Sequence, residues 1–364
     1  MSAAGVQAFS QTYSQAREKF LAAAHQAGLS VESRLHPEKG RDGEDLAMDV
    51  ARDGPAGADK LLIVSSGCHG VEGFCGSGVQ VAALQDDGWR GHARQQGVSV
   101  LYIHALNPYG FSHLRRVTQE NVDLNRNFQD FSQALPVNEA YRELHPLTQP
   151  QQWPPSPAHM ASIMQYVAVH GEAAFQAAVT RGQYEFPDGM FFGGTEPAWS
   201  NLALREVLRQ HGKRVARIGW IDLHTGLGPA GVGERIFAGR DDPATLARAR
   251  DWWGRTTPVT SIYDGSSTSA RLTGMMFSAA YDECPQAEYT GIAMEYGTVP
   301  LMQTMQALLG EHWLHLNPAA PPPLAAHIKQ QMKAAFYTET DEWKQRVLEQ
   351  AREALFQAAD GLAS

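Results

Sequence analysis

The apolar positions of the chain fall into alternating helix-like and strand-like stretches. Phe9, Tyr13, Ala16, Phe20 and Leu21 stand near helical spacing and Gly28 follows, which predicts an opening helix over 8–28. Two short strands are expected near 30–36 and 45–51. The run Leu61-Leu62-Ile63-Val64-Ser65-Ser66-Gly67 is continuously apolar and closes on small residues, the pattern of a strand buried on both faces of a parallel sheet. A glycine-rich turn leads from it into a helix predicted over 76–87. Further strands are predicted at 98–106, 214–223, 233–239 and 291–297, with helices at 200–212 and 243–255. Two more helices, 324–336 and 339–358, follow Pro321-Pro322-Pro323. Helices interleaved with buried strands predict an α/β fold with a mixed, largely parallel sheet flanked by helices.

Residues 129–200 interrupt this alternation. Pro146, Pro150 and the run Trp153-Pro154-Pro155-Ser156-Pro157 break regular structure. A helix is predicted after them over 158–181, and the aromatic, glycine-rich stretch 184–201 suits a structured loop or short hairpin. Residues 1–364 therefore read as one domain with an insertion at about 129–200 and a helical C-terminal extension at about 321–364.

Composition narrows the function classes. The chain is 43% apolar and 19% charged, an ordinary globular balance. Thirty basic against 39 acidic residues give a net charge of −9, so no broad basic face is available and nucleic acid is not an expected partner. No apolar run approaches the roughly 20 residues of a membrane span, and the N-terminus lacks a signal-peptide pattern. A membrane partner is not expected either. Cys68, Cys75 and Cys284 cannot build a disulfide framework, which fits a cytoplasmic setting. Nothing in the sequence sets an oligomeric state.

Four buried-strand candidates end in polar groups: Cys68-His69-Gly70-Val71-Glu72, Asn107-Pro108, His224-Thr225-Gly226 and Glu295-Tyr296-Gly297. Ligands of open α/β sheets bind outside the carboxyl ends of the strands, so these groups are candidates to converge. His69 and Glu72, three apart, can face one ion, although roughly one such pair is expected by chance. His224 follows Asp222 by two, so both point to one face of a strand. A core histidine paired with a buried aspartate and a metal ligand are both open there. Cys68 points away from its neighbour His69, which disfavours a thiol nucleophile, and Gly76-Ser77-Gly78 lacks the spacing of a serine-hydrolase elbow. His312 and His315 lie in an amphipathic stretch and read as ordinary surface. The segment from Arg115 to Phe128 offers separated guanidinium groups suited to carboxylates and oxyanions.

Taken in order, His69-x-x-Glu72, Arg116 seven residues ahead of the Asp123 that opens Asp123-Leu124-Asn125-Arg126-Asn127-Phe128, Asp222-Leu223-His224-Thr225-Gly226 and Glu295-Tyr296-Gly297-Thr298 resemble the motifs of the zinc carboxypeptidase (funnelin) family. The likeness covers roughly residues 60–300 and is nearest to a bacterial carboxypeptidase-like branch of uncertain substrate. The resemblance implies one Zn²⁺ per chain held by His69, Glu72 and His224, with a fourth position open. It implies Glu295 as general base and Arg116, rather than Arg115, as the group that stabilises the oxyanion. Asn125 and Arg126 would hold a substrate carboxylate, and Asp123 would orient a ligating histidine. The implied reaction is hydrolysis of an amide or peptide bond next to a free carboxylate, on a small peptide. Deacylation of N-acyl amino acids is the alternative. A third reading, an inactive binding protein on the same scaffold, would require a missing ligand or base, and every position is filled. Glu72 and His224 lie 152 residues apart, a long separation that the 129–200 block accounts for. A substrate-contacting tyrosine has two candidates, Tyr263 and Tyr281, and the loop Phe186-Pro187-Asp188-Gly189-Met190-Phe191-Phe192-Gly193-Gly194 is a candidate roof or wall of the pocket.

Overall fold

The computed structural model describes residues 5–55 and 57–364. Its strands are β1 (Val31–Lys39), β2 (Asp45–Asp53), β3 (Lys60–Ser66), β4 (Val98–His104), β5 (Arg217–Ala230), β6 (Gly233–Phe237), β7 (Val259–Thr260) and β8 (Glu288–Gly297). The helices are α1 (Tyr13–Gln26), α2 (Gly73–Gln85), α3 (Asp87–Gln95), α4 (Pro108–Ser112), α5 (Glu139–Leu144), α6 (Pro157–His170), α7 (Glu172–Thr180), α8 (Trp199–Gly212), α9 (Pro243–Trp253), α10 (Ser278–Glu283), α11 (Leu301–Leu316), α12 (Pro322–Phe336) and α13 (Asp341–Ala363). The strands form one sheet in the order β1-β2-β4-β3-β5-β8-β6-β7. β4, β3, β5 and β8 are mutually parallel at its centre, while β1, β2 and β6 add antiparallel pairings toward the edges. This is the mixed, largely parallel α/β sheet that the hydrophobic pattern predicts.

Period two explains the layers. Leu62 and Val64 of β3 pack with α1, α2 and α13, whereas Leu61 and Ile63 pack with α8 and α10 on the other face. Both faces are covered, so the strand reads as an unbroken apolar run. Trp220, Asp222 and His224 of β5 share the α8 side, and β8 sets Gly291, Ala293 and Glu295 directly beside them. β5 continues past the predicted end at 223, which keeps His224 inside the ladder opposite Glu295.

The turn after β3 is clamped. Gly70 and Val71 donate their N–H groups to the carbonyls of Arg116 and Arg115 at 3.0 and 2.8 Å. A Cβ on Gly70 would lie 2.1 Å from the carbonyl carbon of Gly110, so only glycine permits this backbone-on-backbone contact.

Departures from the predicted elements have physical causes. The helix expected over 158–181 is two helices, α6 and α7, because Gly171 takes φ 86° between them. The short α3, α4 and α10 and strand β7 escape a periodicity argument. So does α11, which is apolar on several sides because it is packed between α12 and the 129–200 segment. That packing also overturns the surface reading of His312 and His315: His312 is buried and His315 half-buried. No helix among the described residues is long and apolar enough to cross a membrane.

Candidate metal centre

The structure brings His69, Glu72, Arg116, Asn125, Arg126, His224 and Glu295 to the wall of one cavity at the carboxyl ends of β3, β5 and β8. Its volume is about 130 Å³. Of the sequence candidates, Asp123 sits just behind this wall, fully buried.

Glu72 is the centre of the arrangement. Its Oε1 lies 2.9 Å from Nδ1 of His69 and accepts from Nη1 of Arg116 at 3.1 Å. Its Oε2 lies 3.0 Å from Nδ1 of His224 and accepts the Thr225 backbone N–H at 3.1 Å. The opposite nitrogens of the two imidazoles face carboxylates: Nε2 of His224 is 2.5 Å from Asp222, and Nε2 of His69 is 3.2 Å from Asp123. Asp222 is in turn fixed by the Ser65 hydroxyl at 2.6 Å. Trp220 Nε1 donates to that same hydroxyl oxygen at 2.7 Å.

The protonation logic follows. Both ring nitrogens of His224 face carboxylates, which only accept, and the shorter 2.5 Å contact with Asp222 assigns the single proton of the neutral ring to Nε2. Its Nδ1 then presents a lone pair to Oε2 of Glu72, which also has only lone pairs. Two acceptors 3.0 Å apart need a cation between them, either a proton or a metal ion. The same tension appears in titration. Burial alone would lower His224, yet Asp222 and Glu72 on its two sides drive it well above the ordinary histidine value. Glu72 is held well below the usual carboxylate range: burial would raise it, but His69 and His224 outweigh that. One ligand atom from each of His69, Glu72 and His224 lies within 4.8 Å of the others. Two imidazoles and one carboxylate match a catalytic zinc donor set, so the residues present fit the ion.

Cys68, Asp222 and His224 form a second group with donor atoms equally close together. Burial, then the negative charges of Asp222 and Asp123, push the Cys68 thiol well up, which keeps it a thiol and a poor ligand.

Glu295 lies beside His224 across the β5–β8 ladder, and its Oε1 accepts the Leu227 N–H at 3.0 Å. Burial, reinforced by the charge of Glu72, raises it to about 8. Arg116 donates Nε to Asp123 at 2.9 Å and places Nη2 2.7 Å from Nε2 of His69. Arg115 turns away and is buried against Glu311 at 2.9 Å. Of the two arginines, only Arg116 lines the cavity.

Asn125 and Arg126 carry structural obligations that the sequence does not reveal. Asn125 Oδ1 accepts the Met276 N–H at 2.8 Å, while the buried Arg126 donates Nε and Nη2 to the Thr180 carbonyl at 2.9 and 2.5 Å and Nη1 to the Asn125 carbonyl at 2.9 Å. Phe191, at φ 53°, stacks its ring 5.1 Å from the guanidinium of Arg116 and 5.7 Å from that of Arg126. The Phe186–Gly194 loop thus does contribute to the wall. Neither tyrosine candidate lines the cavity: Tyr263 donates to the Gly239 carbonyl, and the Tyr281 hydroxyl accepts from Arg240. Asp222 is the residue that sequence reasoning passed over as part of a site; its signal was the two-residue offset from His224. The remaining lining is mostly apolar, including Leu227, Ile236, Ile262, Met275 and Phe336.

The mixed sheet flanked by helices is that of a carboxypeptidase-like α/β fold. Among solved structures, bovine thrombin-activatable fibrinolysis inhibitor in complex with a tick carboxypeptidase inhibitor aligns over 97% of both chains, with a TM-score of 0.52 and 10% identity. Another structure of thrombin-activatable fibrinolysis inhibitor aligns over 90% of this chain and 79% of its own, at TM-score 0.48 and 12% identity. A metallo-carboxypeptidase from Burkholderia cenocepacia aligns over 88% and 66%, at TM-score 0.43 and 12% identity. By sequence, the chain belongs to the family described as "Protein of unknown function (DUF2817)", which matches residues 9–350. No curated protein sequence matches it.

Proposed function

We propose that the protein is a zinc-dependent hydrolase of an amide bond next to a free carboxylate, a carboxypeptidase-type reaction. The observation that carries this reading is the pair of imidazole Nδ1 atoms facing the two oxygens of Glu72, with Glu295 and Arg116 on the same cavity wall. His69, Glu72 and His224 would hold the ion, which when bound supplies Lewis acidity and a water of lowered pKa.

The chain's own residues account for the remaining requirements. Glu295 has one oxygen tied to the Leu227 N–H, which leaves the other to accept a proton from water and return it to the departing amine. A cation beside it would bring its raised pKa back toward neutrality. Arg116 is anchored through Nε to Asp123, and its Nη groups, which here reach Glu72 and His69, would turn to a carbonyl oxygen gaining charge once those ligands hold the ion. The substrate carboxylate would be met by the amide nitrogen of Asn125 and by those N–H groups of Arg126 not committed to the Thr180 and Asn125 carbonyls. The apolar lining favours an uncharged side chain next to the scissile bond.

A second reading, deacylation of N-acyl amino acids, draws support from the small cavity, which suits a compact product better than a peptide. Zinc analysis of purified protein and of His69→Ala, followed by profiling short peptides against N-acyl amino acids, tests both. Trace zinc that His69→Ala leaves unchanged would sink the metal assignment.

A further inference from the structure

A second cavity, of about 480 Å³, lies on the far side of α11 from the metal centre. Small-molecule sites typically span roughly 300–1,000 Å³, so this one is of ligand size. Helix α11 acts as a partition. Leu301, Thr304 and Leu308 face the metal cavity, Met302, Gln306 and Leu309 face the second one, and Met305 lines both. Met305, with its flexible side chain, is the one residue the two linings share.

The second cavity carries no charged residue in its lining. Met160, Met190, Met302 and Met305 contribute four thioethers to it, a surface that adapts to irregular apolar ligands. Its mouth leaves apolar surface in water: Met160 is 37% and Met302 44% exposed. α6 contributes to the same exposure, since Ile163 alone of its residues is buried. The side walls come largely from α6, α7 and α11, helices whose internal N–H and C=O groups are satisfied within themselves. An extended peptide laid there would find no strand edge to pair with, whereas a hydrocarbon chain needs none.

We propose that this cavity binds the hydrocarbon chain of an N-acyl substrate, which passes Met305 from the metal centre. This rests on the N-acyl form of the function proposed above and names its substrate class: long-chain rather than acetyl amides.

The test is a series of N-acyl alanines from acetyl to dodecanoyl. Hydrolysis is followed with the zinc-loaded wild type, and calorimetric binding with Glu295→Gln. Both kcat/KM and affinity should rise with chain length, by up to roughly three- to fourfold per fully buried methylene, until the cavity is filled. Met160→Glu and Met302→Glu, at exposed positions, should remove that rise and leave the acetyl compound unaffected. A flat length dependence, or a rise that survives both charges, overturns the proposal. So does a dimer that Met302→Glu splits without any length effect, because the face would then belong to a second copy. If nothing is hydrolysed but length-dependent binding persists and is lost in Met302→Glu, the cavity assignment stands and the proposed reaction fails.

Discussion

Asp222→Asn isolates the claim that His224 is poised as a ligand. In the wild type, Asp222 accepts from Ser65 at 2.6 Å and sits 2.5 Å from Nε2 of His224, in a buried setting that holds the imidazole proton on Nε2. An asparagine can satisfy Ser65 with its carbonyl oxygen, but it then turns its NH₂ toward His224. The imidazole must answer by accepting at Nε2, which moves its proton to Nδ1, the atom facing Glu72. The metal-free wild type also holds a proton between Nδ1 and Glu72, but when it leaves the remaining proton rests on Nε2 against Asp222, whereas in the variant metal binding at Nδ1 forces Nε2–H against the asparagine NH₂. Replacing partners of this kind costs about 10–100-fold in metal affinity, and the forced tautomer change places Asp222→Asn near the upper end. The corresponding free energy is about 2.7 kcal/mol. Competition against a chromophoric chelator at constant pH measures the zinc Kd, and thermal unfolding of the metal-free protein reports any purely structural damage. Unchanged zinc affinity in a folded variant would refute the tautomer argument. A large loss of metal-free stability with unchanged affinity would do the same and leave Asp222 a packing residue.

Three further outcomes are expected. Glu295→Gln should lower kcat by roughly 10²–10⁴-fold while zinc content stays at the wild-type level; retained activity would remove Glu295 as the base. Glu311→Gln should destabilise the fold by about 3 kcal/mol in a urea titration, because it leaves Arg115, and Lys329 at 2.8 Å, without their shared counter-charge. Burial lowers His104 and His312 to about 4, so the unfolded chain binds protons first as pH falls from about 6.5 toward 4. Stability should therefore be intact above pH 6.5 and drop by roughly 3 kcal/mol per histidine by pH 4, and His312→Gln should flatten that slope in pH-dependent urea melts.

Much of the site is visible in the sequence because its groups sit where apolar runs stop. The runs ending at Gly67, Leu223 and Met294 lead toward the carboxyl ends of β3, β5 and β8; β5 and β8 continue past them, and their pairing sets His224 beside Glu295 and close to His69. At Asp222–His224 the two alternatives open in the sequence are not exclusive. The histidine is paired with a buried aspartate, and that pairing is what turns Nδ1 toward Glu72. Less visible are groups whose partners come from distant, irregular chain. The Thr180 carbonyl that engages Arg126 leaves no mark on periodicity, nor does the Met276 N–H that engages Asn125. Helix α11 hides for another reason. Packed on several sides, it shows no single apolar stripe, and with it His312 and the partition between the two cavities escape notice.

The clamp at Gly70 joins two parts of the site into one mechanical piece. The turn bearing His69 and Glu72 hangs by its own N–H groups from the carbonyls of Arg115 and Arg116, and rests on Gly110 with no side chain between. A backbone shift on either side is therefore transmitted to the other. Substitutions at position 70 should not yield graded enzymes that merely bind metal less well; they should misplace Arg116 at the same time. In directed evolution this turn would behave as an inherited block, while variation in substrate choice would collect in the 129–200 segment and on α11, where walls can move without disturbing the reacting groups.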